Sequence, residues 1–217
     1  MEKAYKNTGY YMLFLIPVVF AGFYTTYFSH ISDFNESFTA VTGGGVTIFH
    51  HIHAALATFW ILLLVIQPLL IRYKRFKIHK TIGKITYFIF PLLIISLIIL
   101  ILNILKSGHP IRAYGTFSNT IMLFLFYSLA VYNKKNTPIH MRYMIGTSFS
   151  FLGPPIGRFG VFILGMQPKI INNAVYILVY LILTGLILCD RKHGKNFKPF
   201  ILILIVWVIR QIVFNII

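Results

Sequence analysis

His50, His51 and His53 stand together in the stretch TIFHHIHAAL, at the start of a long apolar run. On a helix His50 and His53, spaced i, i+3, share a face, while His51 points about 100° away. Two imidazoles on one face are the donor set of a transition-metal site. Alternatively, one ligates haem iron and the other supports it. The bland alternative is a histidine cluster resting among lipid headgroups. His53, Trp60 and Gln67 then recur at intervals of seven, a spacing that drifts only about 20° per step along a straight helix. The sequence therefore predicts a polar seam down this helix, either packed against neighbouring helices or lining a cavity, because buried indoles and amides in lipid need partners. For Trp60 alone, packing is the commoner explanation.

Two further groups follow. His79-Lys80-Thr81-Ile82-Gly83-Lys84, running on to Tyr87, opens the next apolar run, and Thr137-Pro138-Ile139-His140-Met141-Arg142 repeats that placement two runs later. The lysines suit anionic headgroups, and Gly83 would let a helix approach closely. His79 and His140 fall on the same side of the membrane, and whether they meet depends on packing. Gly153-Pro154-Pro155-Ile156-Gly157-Arg158 lies inside a further apolar run. Consecutive prolines remove two backbone donors and push the residues before them out of the helical region, so a break is expected there. Arg158 follows at once, and a guanidinium within a membrane is by default a site candidate, the alternative being a side chain that snorkels to the interface. Asn173, Tyr176, Tyr180 and Thr184, with Arg210 and Gln211, read as a bundle-facing stripe of packing contacts.

The elements that must carry these residues are transmembrane helices. With 58% hydrophobic residues and 11% charged, the chain lies outside the balance of a soluble domain. The expected spans are approximately residues 10–30, 46–71, 81–105, 115–133, 139–164, 171–189 and 199–217, each long enough to cross with some tilt. The first could pass for a signal peptide but lacks a small-x-small cleavage site. The fold class is thus all-α, a single polytopic domain over 1–217 with about seven spans, the rival being six with the last run lying flat. Lys and Arg crowd alternate connections, Arg72 to Lys80, Lys134 to Arg142 and Arg191 to Lys198. That pattern puts the N terminus in the cytoplasm and the C terminus outside, in the cell membrane of a bacterium (the inner membrane), multi-pass.

The formal charge of +16 belongs to this topology and not to nucleic-acid binding, since the aromatics lie in and at the ends of spans. Cys189 is the single cysteine, which rules out a disulfide within the chain and a cysteine-based zinc or iron–sulfur site. Glu2, Asp33, Glu36 and Asp190 are all the acidic residues, and none is expected well inside an apolar run. A retinal pump would need a lysine deep in the last helix. Membrane desaturases need several histidine boxes, and zinc hydrolases need a carboxylate base.

A b-type cytochrome needs only pairs of neutral imidazoles from two helices near each membrane face. His50 or His53 with His109 or His30 supplies one face, and His79 with His140 the other. Against this, several of these histidines sit at helix ends. The expectation is a histidine-lined intramembrane site that takes haem b, or a transition metal at His50 and His53, in electron transfer with quinone or a redox partner. The alternative is a cofactor-free carrier or binding protein for a small anionic or lipidic ligand, using the broken fifth helix, Arg158, Trp60 and Gln67.

The order of the His-rich second helix with Gln67, then His79-x-x-x-Gly83-Lys84-x-x-Tyr87, then His140-Met141-Arg142 and Arg158, resembles a bacterial family of multi-pass membrane proteins known mainly as a domain of unknown function. The resemblance covers the second to fifth helices. A basic residue follows the first His and the Gly of that pattern, and here both are Lys. It implies that His53, Gln67, His79, Gly83, His140 and Arg158 act as a set, and it implies no activity.

Overall fold

The computed structural model describes residues 2–30, 47–108 and 110–217, apart from the side chains of His30, Ile111 and Arg112. All regular structure among them is helical: α1 (Thr8–Met12), α2 (Leu15–Phe23), α3 (Ile48–Arg72), α4 (Phe76–Lys106), α5 (Pro110–Tyr132), α6 (Thr137–Phe149), α7 (Gly153–Arg158), α8 (Pro168–Lys192) and α9 (Lys198–Ile216). Short 3₁₀ turns at Lys3–Tyr5 and Phe28–His30 and a π-helical turn at Phe159–Ile163 complete the chain. Five helices, α3, α4, α5, α8 and α9, are long and apolar enough to cross a membrane.

The expected first and fifth spans are built in pieces, and proline is the reason in both. Pro17 has no N–H to offer the carbonyl four residues back, and its ring crowds that turn. The break between α1 and α2 falls at Leu13 and Phe14, where Ile16 bonds Leu13 in a tighter i−3 pattern. In the fifth run α6 ends at Phe149, and a turn over Ser150–Leu152 leads into α7. Pro154 and Pro155 fall in the first turn of α7, where a missing N–H costs nothing. The break expected at Gly153-Pro154-Pro155 is thus present, just ahead of the prolines.

α3 and α4 form a tight antiparallel hairpin. Its turn places Lys74 in the left-handed region (φ 59°), and the Arg75 N–H closes α3 by reaching back to the Leu70 carbonyl at 2.7 Å. α4 packs on α5, α5 on α6, α6 on α9, α9 on α8, and α2 on α7. The last pair is close enough that a Cβ on Gly22 would sit 2.2 Å from the Pro155 carbonyl oxygen. Gly83, by contrast, has nothing within 4 Å of where its Cβ would be. The expectation that Gly83 admits a neighbouring helix is corrected, because α4 approaches its neighbours through other residues.

Two apolar cores share α5. One joins Leu15, Trp60, Leu64, Phe90, Leu93, Leu123 and Tyr127 across α2 to α5. The other joins Phe126, Phe149, Val179, Leu183, Phe200 and Trp207 across α5, α6, α8 and α9. Outward faces are equally apolar, with Phe88, Leu181, Phe124 and Ile209 more than half exposed, while Arg142, Thr147 and Asp190 are almost wholly inside. An apolar exterior around a partly polar interior is the arrangement of a protein whose solvent is lipid.

Candidate functional site

His50, on the first turn of α3, turns back onto its own helix start. The Thr47 backbone N–H donates to His50 Nδ1 at 3.1 Å, and the Thr47 hydroxyl lies 2.9 Å from the same nitrogen. An Nδ1 that accepts a hydrogen bond places the proton of a neutral imidazole on Nε2, so His50 offers an N–H to its surroundings. His51 diverges as expected and meets the Tyr27 hydroxyl at 2.8 Å. His53, one turn deeper, approaches Ser96 of α4 with Nδ1 3.0 Å from Oγ. Ser96 spends its own proton on the Leu93 carbonyl at 2.7 Å, so His53 is the donor and its Nε2 carries a lone pair. The pair expected to share a metal therefore holds one imidazole of each kind.

Arg158 reaches this end from α7. Its guanidinium lies 4.5 Å over the Phe23 ring, Nη1 donates to the Pro154 carbonyl at 3.4 Å, and it is within electrostatic reach of both His50 and His53. His109 lies outside the described residues, as does the side chain of His30, so partners for His50 or His53 drawn from them are not described.

At the opposite end the structure brings His79 and His140 within electrostatic reach of each other. Each is anchored through one ring nitrogen to a backbone carbonyl. His140 Nδ1 donates to Ala130 at 2.8 Å. His79 shares a hydrogen bond with the backbone of Gln67, while its Nδ1 has no hydrogen-bond partner among the described residues. A carbonyl that fixes the tautomer and leaves the other nitrogen's lone pair available is the usual support of a metal-bound imidazole. Haem iron takes two such lone pairs, and the chemistry of His79 and His140 fits that requirement while that of His50 does not. Among the described residues no group of three or more His, Cys, Asp or Glu is arranged to hold a metal ion.

Between the two ends runs the seam. Trp60 is 1% exposed, packs 5.1 Å from Phe90 and meets Tyr127 edge-on at 5.2 Å, while Phe90 and Tyr127 stack at 3.9 Å. Beyond this aromatic layer the Tyr127 hydroxyl lies 2.8 Å from Thr86 Oγ, which itself bonds the Gly83 carbonyl at 2.6 Å. Trp60 Nε1 and both polar atoms of the Gln67 side chain are buried with no hydrogen-bond partner among the described residues.

The most thoroughly paired polar group is centred on Arg142, which entered the sequence reading only as the end of the His140-Met141-Arg142 stretch. Arg142, 0% exposed, grips Asp190 of α8 with two parallel hydrogen bonds, Nε to Oδ2 and Nη2 to Oδ1, both 2.7 Å. It also holds Glu2 through Nη2 at 2.8 Å and the Pro138 carbonyl through Nη1 at 2.9 Å. The Tyr5 hydroxyl donates to Asp190 Oδ1 at 2.7 Å, and the guanidinium lies 5.1 Å over the Tyr5 ring. Burial, reinforced by the bond to Asp190, pushes the Tyr5 phenol above its ordinary value. Arg142, expected at the start of the fifth span and counted with the basic connection before it, is a core residue of α6. Asp190, expected at the end of its run, stands two residues from the end of α8 and is 1% exposed. The available signal was scarcity: with four acids in the chain, one at the end of a run next to basic helix starts is a candidate partner.

The stripe on α8 bonds across to α9. Gln211 Nε2 donates to Asn173 at 2.7 Å, and the Tyr180 hydroxyl donates to Gln211 at 2.6 Å. That is packing, as expected. Compared with known proteins, the chain matches no family model, no curated protein and no solved structure.

Proposed function

We propose that this is a multi-pass protein of the bacterial cell membrane that binds haem or a single transition metal between α4 and α6, through His79 and His140, and takes part in electron transfer. The observation that carries this reading is the matched state of the two imidazoles, each tied by one nitrogen to a backbone carbonyl with the other left to donate a lone pair. In this reading the pieces α1 with α2, and α6 with α7, complete seven crossings, and the basic connections put the His79 and His140 end in the cytoplasm. A bound haem supplies a one-electron couple. The backbone carbonyls of Ala130 and Gln67 fix the orientations of the two rings. Absorbance and elemental analysis of the protein purified from its own membrane test it. A Soret band, or stoichiometric iron or copper, is expected, and a colourless, metal-free protein rejects it.

A second reading rests on a separate observation, the convergence of Arg158, His50 and His53 where the fifth run breaks. A guanidinium beside an imidazole N–H and an imidazole lone pair suits a small anionic or lipidic ligand with an acidic hydroxyl, held without a cofactor. Arg158→Gln should then abolish binding of that class of ligand and leave any absorbance band intact.

A further inference from the structure

We propose that Arg210 holds the phosphate of a membrane phospholipid, in a groove between α5 and α9 at the end of the bundle away from Arg142.

The two arginines differ in how their charge is met. Arg142 places all five of its N–H groups: Nε and Nη2 on Asp190, Nη1 and Nη2 on Glu2, and Nη1 on the Pro138 carbonyl. Arg210 turns its Nε–Nη2 edge to α5, where Nε donates to Ser118 Oγ at 3.0 Å and Nη2 to the Gly115 carbonyl at 3.4 Å. Ser118 gives its own proton to the same carbonyl at 3.2 Å. Both acceptors are neutral, so the guanidinium is anchored while its charge is not offset. The Nη1–Nη2 edge, which on Arg142 receives Glu2, has no partner on Arg210 among the described residues. That is the edge on which a phosphate or carboxylate docks with two oxygens.

Aromatic rings hold the charge in place. The guanidinium lies 5.0 Å over the Trp207 ring and 5.7 Å over that of Tyr176, both buried. Arg210 stands six residues before Ile216, where α9 ends, or about 9 Å inside that end at 1.5 Å per residue. A guanidinium at that depth is costly without a counter-charge. Of the four acids in the chain, Glu2 and Asp190 are taken up by Arg142, and Asp33 and Glu36 lie outside the described residues. The Trp207 indole N–H also has no acceptor among the described residues, which adds a second unused donor in contact with the first.

The rim of the groove selects lipid. Arg210 is only half-buried, and Ile209, Ile212 and Val213 on α9 and Phe117 on α5 are exposed around it. The charge therefore opens on the apolar outer surface of the bundle. A free anion would have to leave water to reach it. A phospholipid brings the phosphodiester, with the single negative charge that the guanidinium lacks, and lays its acyl chains on the exposed side chains.

Trp207 is the local reporter, and Trp60, which belongs to the other core, is the control. In ¹⁵N-tryptophan-labelled protein stripped of lipid in an uncharged detergent, dioctanoylphosphatidylglycerol should shift the Trp207 indole N–H signal saturably and leave that of Trp60 in place. Trp207→Phe assigns the two signals. Dioctanoylglycerol, which has no phosphate, should shift neither. In Arg210→Gln the Trp207 signal should stop responding. In Arg210→Lys, which keeps the charge without the fork, half-saturation should need about tenfold more lipid. A Trp207 signal that the phospholipid does not move, or moves equally in Arg210→Gln, overturns the proposal, as does an equal shift from dioctanoylglycerol. An equal shift from inorganic phosphate at the same concentration keeps the anion site and overturns lipid as its occupant. If Arg210→Gln does not fold, Arg210→Lys and the comparison of the two lipids on the wild-type chain decide.

Discussion

Two buried polar systems sit in the same bundle and are built on opposite terms. Around Arg142, each carboxylate, the guanidinium and the Tyr5 hydroxyl have partners within the chain. Along α3 and α4, the Gln67 amide, the Trp60 indole and His79 Nδ1 have none among the described residues. In a low-dielectric interior a satisfied network rigidifies, while an unsatisfied one is costly unless something else fills it. The Arg142 cluster is therefore read as structure, tying α6, α8 and the Glu2–Tyr5 segment together. The seam is read as a place for water, a ligand or a metal.

That contrast is broken most easily at the cluster. Arg142→Ala leaves Asp190 buried and unpaired, and such losses cost about 3–5 kcal/mol. Asp190→Ala should cost a similar amount, and the double variant less than the sum of the two, because the sites share their partners. Denaturant or thermal unfolding in detergent measures all three. A loss below about 1 kcal/mol would move the cluster out of the structural class.

A loss of up to similar size is expected at the α2–α7 crossing. Gly22→Ala forces a methyl against the Pro155 backbone, and overpacking of this kind costs about 1–3 kcal/mol. Gly83→Ala, with open space around it, should not lower the melting temperature.

Tyr5→Phe removes one hydrogen bond to a carboxylate, worth about 1.5–3 kcal/mol. Its pH dependence has a definite sign. The folded-state value of Tyr5 is raised, so its contribution is complete below the ordinary tyrosine value of about 10 and declines as pH rises above it. Wild type should lose stability above that pH faster than Tyr5→Phe does, which unfolding at a series of pH values will show.

The smallest expected effect on stability is in the seam. Gln67→Leu replaces an unpaired amide by a similar apolar volume and should change stability by less than about 1 kcal/mol, or increase it. A large loss would mean that the amide is already satisfied and the seam is structural.

Much of this was legible in the chain. Uninterrupted apolar runs became α3, α4, α5, α8 and α9 within a few residues of their expected bounds, because length and hydropathy alone decide a spanning helix. The break ahead of Pro154 was legible too, since a proline ring acts locally. The break at Leu13 was not, although Pro17 supplied the same cause. The seam of His53, Trp60 and Gln67 followed from helical spacing. The Arg142–Asp190 pair did not, because its members lie 48 residues apart and each sits at the end of a run, where a charge reads as part of a loop. The tautomers of His50 and His53 were equally hidden, being set by Thr47 and by Ser96 of another helix. The same residue type at the same helix end thus presents opposite faces.

The most direct measurement is the reduced-minus-oxidised difference spectrum of the protein purified from its own membrane, compared across three single variants. If His79 and His140 hold a haem, His79→Ala and His140→Ala would lose its absorbance bands and His50→Ala would keep them. Bands that survive in both His79→Ala and His140→Ala, or a wild-type protein with no bands and no bound metal, would contradict the account.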